Sequence, residues 1–186
     1  MFKRSEDRKE VALDQHKLEQ FEERVLPHVG AAYNLARWLT RNQHDAEDIV
    51  QESYLRAYKF FGGFRGGDGR AWLLTIVRNT CYTWFQQNKP RELAVSIEDG
   101  ALDIESDTPN PEAELIRHAD SRLITEALED LPLEFREIVV LRELEGMSYK
   151  EIADVIDIPL GTVMSRLARA RKRLQKTLIL KVSREA

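Results

Sequence analysis

The sequence predicts an all-α protein of two small helical domains joined by an acidic linker. Three observations predict it. Apolar residues recur at three- and four-residue spacing both before residue 88 and after residue 111. Between them, from Asn88 to about Asn110, the periodicity breaks in a stretch with prolines at both ends and an acidic bias. Near the C-terminus, Ser148 and Glu151 form a capping box that opens a pair of short helices around Pro159.

In chain order, residues 1 to about 12 are charged and predicted to fray. Leu18, Phe21 and Val25 predict a helix over Leu13–Leu26. Pro27 suits the first turn of a second helix, which runs through Arg41 and buries Ala32, Leu35, Ala36 and Leu39. Next comes an amphipathic stretch, Asp45–Phe61. Val50, Tyr54, Ala57 and Phe61 share one face, and Asp45, Asp48 and Glu52 line the other. Like charges at this spacing cost an isolated helix a few tenths of a kcal/mol. The stripe is either a solvated face, tolerated near a helix N-terminus, or a surface for a basic protein partner.

The glycine-rich run from Gly62 to Arg70 follows no strand and lacks the Gly-Lys-Ser/Thr ending of a nucleotide loop, so it reads as a flexible connection. A helix from Arg70 to about Gln87 then buries Leu73, Val77, Thr80, Cys81 and Trp84, with Ile76 at the edge. Thr75, Arg78, Asn79, Tyr82 and Gln86 share its other face, a mixture of cation, amides and aromatic ring that suits unpaired nucleic acid.

These segments give a first domain over residues 13–88, a linker over 89–111 and a second domain over 112–178. In the second domain one helix spans about Glu112–Asp130, with Ile116, Leu123, Ala127 and Leu128 apolar, and Leu131–Pro132 breaks it. Another runs to Glu145, burying Phe135, Ile138, Val139 and Leu144, with Gly146 as its cap. From Ser148, one helix buries Tyr149, Ile152, Ala153 and Ile156. Pro159 starts the next, which buries Val163, Leu167, Ala170 and Leu174. Its outer face carries Ser165, Arg169, Lys172 and Lys176, flanked by Arg166 and Arg173. Two short helices, a tight turn and a basic outer face match a helix-turn-helix, whose second helix fits the major groove.

The net charge of −4 conflicts with nucleic-acid binding only as a total. From Pro159 onward there are eight basic residues and one acid, whereas Arg91–Glu114 holds eight acids and one base. Local sign governs attraction to a polyanion. No apolar run approaches a membrane span, and the charged N-terminus is no secretory signal, so a cytoplasmic protein without membrane insertion is expected. Cys81 is the sole cysteine, and the four histidines are scattered without metal-ligand spacing. No cofactor, metal or catalytic cluster is predicted, which leaves an enzyme such as a nuclease unsupported.

Two motif blocks stand together: DAEDIVQESYLRAY with FRGGDGRAWLLTIVRNTCYTWF before the linker, and LPLEFREIVVLRELEGMSYKEIADVIDIPLGTVMSRLARARKRL after it. They resemble the extracytoplasmic-function group of the sigma-70 family of bacterial transcription initiation factors, over about Leu18–Leu174. The resemblance implies a sigma-2 helical bundle and a sigma-4 helix-turn-helix. Its implied partners are core RNA polymerase, at the largest-subunit clamp coiled coil and the flap, promoter DNA, and an anti-sigma factor.

Asp45, Asp48, Gln51 and Glu52 match the family's polymerase-docking helix. Phe64, Arg78, Asn79, Tyr82 and the segment Gln86–Arg91, with Lys89 and Arg91, match the part that opens and reads the −10 element. Thr162, Ser165, Arg166, Arg169, Lys172 and Arg173 match the −35-binding surface. Met164 stands where many relatives place arginine or lysine, and Ala168 is small where some are bulky. The linker resembles the connector that threads toward the polymerase active centre. Two rival readings are a regulator that binds DNA without polymerase and a decoy that sequesters an anti-sigma factor. The acidic helix disfavours the first, and the retained Arg166, Arg169, Lys172 and Arg173 disfavour the second.

Overall fold

The computed structural model describes residues 15–92 and 122–185, and every described element is helical. Helix α1 covers 15–24. A 3-10 turn, Leu26–His28, holds Pro27 and leads into α2, Val29–Thr40. Phe21 and Val25 are buried as predicted, but Leu18 lies largely in solvent. Helix α2 buries the predicted stripe and also Arg37, Trp38 and Thr40, because its C-terminal half is covered on a second side by α6. Arg41 closes α2 in the left-handed conformation, with its N–H on the Arg37 carbonyl.

Helix α3, Gln43–Phe60, starts where the Asn42 side chain accepts the Asp45 N–H. Its buried line is Ala46, Ile49, Ser53 and Ala57, while Val50 and Tyr54 are only half-buried. The predicted apolar face is therefore rotated. Ser53 can take a core position because its hydroxyl donates to the Ile49 carbonyl at 2.6 Å, so no polar atom is left bare. Phe61 follows in a 3-10 turn, where its ring meets Phe21, Phe64 and Trp72.

Helix α4, Gly69–Glu92, extends five residues past its predicted end and runs through Pro90. A proline removes one backbone donor, and here that loss falls in the helix's last turn. Gly69 sits where α4 touches the end of α1. A Cβ there would lie 2.2 Å from the Arg24 carbonyl oxygen, so no larger residue fits without backbone movement. Leu73, Val77, Thr80 and Cys81 are buried, and so is Leu74, which the one-face reading omits. The reason is that α4 is packed on two sides: against α2 and α3, and against α7.

The first four residues of the predicted linker, 89–92, instead continue α4, while 93–111 and the start of the next helix, Ile116 included, lie outside the described residues. Helix α5 covers 122–129 and buries Leu123, Ala127 and Leu128. Helix α6, Leu133–Val139, passes into a π turn, Val140–Leu144. The wider turn carries the Glu145 N–H back to the Val140 carbonyl. It brings Val140 and Leu141 into the core and turns Leu144 out, 49% exposed, against expectation. Gly146 adopts φ 65°, as a C-terminal glycine should, and Met147 is buried behind it.

The capping box is present, with Ser148 accepting the Glu151 N–H at 3.2 Å and Glu151 accepting the Ser148 N–H at 2.6 Å. It opens α7, Tyr149–Ile156, which buries Ile152, Val155 and Ile156. Asp157, in the left-handed conformation, ends α7 two residues before Pro159. The Pro159 carbonyl accepts the Thr162 and Val163 N–H groups, so proline caps the next helix rather than opening its first turn. That helix, α8, runs Leu160–Glu185 and buries Val163, Leu167 and Ala170.

Buried side chains of both halves join in one core cluster, with α6 against α2 and α7 against α4. Each fully buried leucine or isoleucine contributes about 1.5–3 kcal/mol relative to an exposed one. Arg136, nearly inaccessible, donates to the Leu39 carbonyl at 3.3 Å and the Glu129 carbonyl at 2.8 Å, tying α6 to α2.

Candidate nucleic-acid interface

Three surfaces carry the predicted site residues. The first is a groove of about 550 Å3 between α2 and α3, lined by Val29, Gly30, Tyr33, Glu47, Asp48, Val50 and Gln51. Asp48 and Gln51 are exposed on its wall, Asp45 is half-buried in the first turn of α3, and Glu52 pairs with Arg56 at 2.6 Å. The groove's apolar lining is shared, with Val50 from α3 and Val29 and Tyr33 from α2. Reading α3 by itself could not have found the α2 wall, although an exposed Val29 beside Gly30 at the helix start is a weak local signal.

The second surface is α4. Asn79 and Gln86 are exposed. Phe64 packs in the aromatic cluster, 4.9 Å from Trp72 and 5.6 Å from Phe61 between ring centroids. The side chains of Lys89 and Arg91 lie outside the described residues. Arg78 and Tyr82 are half-buried, with their polar ends turned to α6. The Arg78 Nε donates to Glu137 Oε1 at 2.5 Å, and the Tyr82 hydroxyl donates to Glu137 Oε2 at 3.1 Å. The Arg78 guanidinium lies 4.4 Å from the Tyr82 ring centroid.

Glu137 comes from α6 and is 0% exposed. Burial pushes its carboxyl upward, and Arg78 is the largest opposing influence. Burial, reinforced by Glu137, pushes the Tyr82 hydroxyl up to about 12. The same two influences push the Cys81 thiol up to about 12, which keeps it a protonated, packed side chain. Sequence reading missed Glu137. The available signal was that its neighbours three and four residues on, Val140 and Leu141, are apolar.

A second carboxylate repeats the pattern. Glu145, 6% exposed, accepts from Arg70 at 2.6 Å and from Asn34 at 3.3 Å, and Arg70 also donates to the Glu145 carbonyl oxygen.

The third surface is α8. Met164, Ser165, Arg169, Lys172 and Arg173 are exposed, and Thr162 is half-buried near the helix start. The Ser165 hydroxyl donates to the Thr162 carbonyl at 3.1 Å, and Arg169 Nε donates to the Ser165 carbonyl at 3.3 Å. Arg173 lies 5.0 Å from the Phe135 ring centroid, a loose tether on an otherwise open cation. Arg166 departs from this open face. It turns toward α6, 3.7 Å from Glu134, with a side chain 20% exposed. Among the described residues, no cluster of His, Cys, Asp or Glu could hold a metal ion. No helix there is long and apolar enough to cross a membrane.

Comparison with known proteins places both halves. Residues 24–91 match the family model for Sigma-70 region 2, and residues 121–174 match that for Sigma-70, region 4. The ECF RNA polymerase sigma factor SigE of Mycolicibacterium smegmatis is 37% identical over 168 residues, which is 89% of this chain and 64% of that longer relative. The ECF RNA polymerase sigma-E factor of Haemophilus influenzae is 35% identical over 151 residues, covering 77% of this chain and 79% of the relative. Among solved structures, the sigma factor RpoE in complex with the anti-sigma factor NepR from Bartonella quintana superposes with a TM-score of 0.70. It shares 28% identity and covers 86% of this chain and 97% of its own. CnrH in complex with the cytosolic domain of CnrY shares the fold, with a TM-score of 0.62 and 23% identity over 91% of this chain and 96% of its own. With both regions matched in order along one helical chain, the protein belongs to the extracytoplasmic-function group of the sigma-70 family.

Proposed function

We propose that this chain is a transcription initiation factor that binds core RNA polymerase, directs it to specific promoters and assists strand opening, under the control of an anti-sigma factor. The observation that carries this reading is the presence of regions 2 and 4 in one chain, with a basic, solvent-facing helix in region 4. The polymerase supplies the bond-making chemistry, and this chain supplies the address. It acts beside the chromosome, in the cytoplasm. Its fold match to a sigma factor solved with an anti-sigma partner supports the regulatory half of the reading.

In finer detail, residues 13–88 are the sigma-2 domain, with α4 continuing to Glu92, the segment up to residue 111 is the linker and 112–178 are the sigma-4 domain. Asp45, Asp48, Gln51 and Glu52 meet the clamp coiled coil, with the α2/α3 groove receiving its apolar side chains. Phe64, Arg78, Asn79, Tyr82, Gln86, Lys89 and Arg91 handle the −10 element, where Tyr82 offers a stacking face and Asn79 an amide to a base edge. Ser165, Arg169 and Lys172 enter the −35 major groove. Thr162, Arg166 and Arg173 hold its phosphates. An exposed Met164 replaces a polar contact with an apolar one, which favours contact with a thymine methyl over a guanine edge.

The docking assignment is tested by titrating sigma-free core RNA polymerase with the labelled chain. Asp48→Arg is expected to weaken binding about tenfold, or roughly 1.4 kcal/mol, with unchanged helicity. Equal affinity would remove Asp48 and the groove from the interface.

A further inference from the structure

We infer that Leu160, Met164 and Ala168 form an apolar edge on α8 that reads the 5-methyl groups of thymines in the −35 major groove. This role deepens the assignment of α8 to the −35 element and rests on it. The three residues stand four apart, so they rise as one line along the helix. Leu160 is 49% exposed and Met164 52%, and Ala168 is exposed as well. Every other exposed position between 160 and 176, Gly161 apart, is polar or charged. Single apolar residues scattered on a surface are ordinary. Three in one line, on a helix that otherwise exposes cations, are not a scatter. Nor are they the buried stripe of α8, which is Val163, Leu167 and Ala170 on another side.

Duplex DNA is the occupant that the surroundings favour. Ser165, Arg169 and Lys172 run beside the line, with Arg173 beyond them. An apolar protein partner would have to accept that dense positive charge, whereas in a major groove the same cations meet phosphates. There the thymine methyl is the apolar feature of the base-pair edges, and the other bases offer only donors and acceptors. Arg171 is the cation nearest the line in helical projection. It is turned to the π turn instead of to a base, with Nε and the guanidinium end donating to Glu143 at 3.1 and 2.6 Å.

Each residue has its own part. Met164 is long and polarisable and reaches the methyl. Helical side chains lean toward the N-terminus, so Leu160, one turn earlier, backs Met164. Ala168 is short and leaves room for a second methyl. Readout of this kind follows the methyl itself and not the pairing edge. Uracil keeps the acceptor that thymine shows in the major groove and lacks only the methyl, so it separates the two.

The test uses holoenzyme reassembled from the full chain and core RNA polymerase, on a DNA fragment carrying one of its mapped starts with the −35 window randomised. Bound duplexes are sequenced for wild type, Met164→Ala and Met164→Lys, with helicity checked by circular dichroism. The enriched duplex is then remade with deoxyuridine for thymidine in that window. Wild type is expected to enrich thymine within the window. It should bind the deoxyuridine duplex about fourfold more weakly for each methyl lost, the equivalent of about one methylene taken out of contact. Met164→Ala should lose both the thymine preference and the deoxyuridine penalty at one position, and Met164→Lys should move that position toward guanine. Equal binding of thymidine and deoxyuridine duplexes by wild type would overturn the apolar edge. So would a penalty that Met164→Ala leaves unchanged, since it would then come from duplex shape. Failure of the underlying assignment shows separately: wild-type holoenzyme with no mapped start, or with no enrichment of any base in the window, would remove the −35 role of α8 and the edge with it.

Discussion

Gly69 shows how one missing Cβ sets the first bundle. Its Cα faces the Arg24 carbonyl so closely that alanine would place a carbon 2.2 Å from that oxygen. Backbone on both sides must move to admit it, and overpacking of this kind costs about 1–3 kcal/mol. Gly69→Ala should lower the urea midpoint accordingly, whereas Gly62→Ala, with open space around it, should not. At the other end of the chain, Ser148 and Glu151 hold the start of α7. Ser148 hydrogen bonds keep the Glu151 carboxyl below its usual range. A depressed acid contributes stability above its unfolded pKa and loses it as pH falls through the folded value. Ser148→Ala should therefore cost about 0.5–2 kcal/mol at pH 7. Thermal melts should show that difference shrinking as pH falls past the ordinary glutamate range and through the depressed folded value, below which Glu151 is protonated in either state.

At the scale of elements, the π turn after α6 makes a sharp distinction between two nearby leucines. Leu141 is fully buried and Leu144 is half exposed. Leu141→Ala should cost about 2–5 kcal/mol, and Leu144→Ala less than about 1 kcal/mol, by chemical denaturation. A regular α-helix through Leu144 would place that residue back over the Val140–Leu141 face and raise its cost. The sequence could not decide this, because VVLREL reads equally well with four- or five-residue hydrogen bonding. Local signals were legible elsewhere. The capping box, the stripe of Val163, Leu167 and Ala170, and the turn residues around Pro159 are all short-range features. Ser53 was not legible as core, since its burial depends on a hydroxyl bonding its own helix. Glu137 was not legible either. Its partner Arg78 lies 59 residues away, and only the tertiary packing brings the two together.

For the whole molecule, the sequence conveyed two helical units and their charge separation but not their relation. Packing of α6 on α2 and α7 on α4 turns two candidate interfaces into one body with unequal accessibility. The basic face of α8 and the groove between α2 and α3 stay open, while the Arg78 and Tyr82 side of α4 is closed. The most direct measurement mixes the purified chain with sigma-free core RNA polymerase and fragmented genomic DNA and maps transcript 5′ ends. Specific starts are expected that vanish without the chain, share two upstream elements and weaken with Arg169→Ala. Starts that are identical with and without the chain would contradict the initiation-factor role.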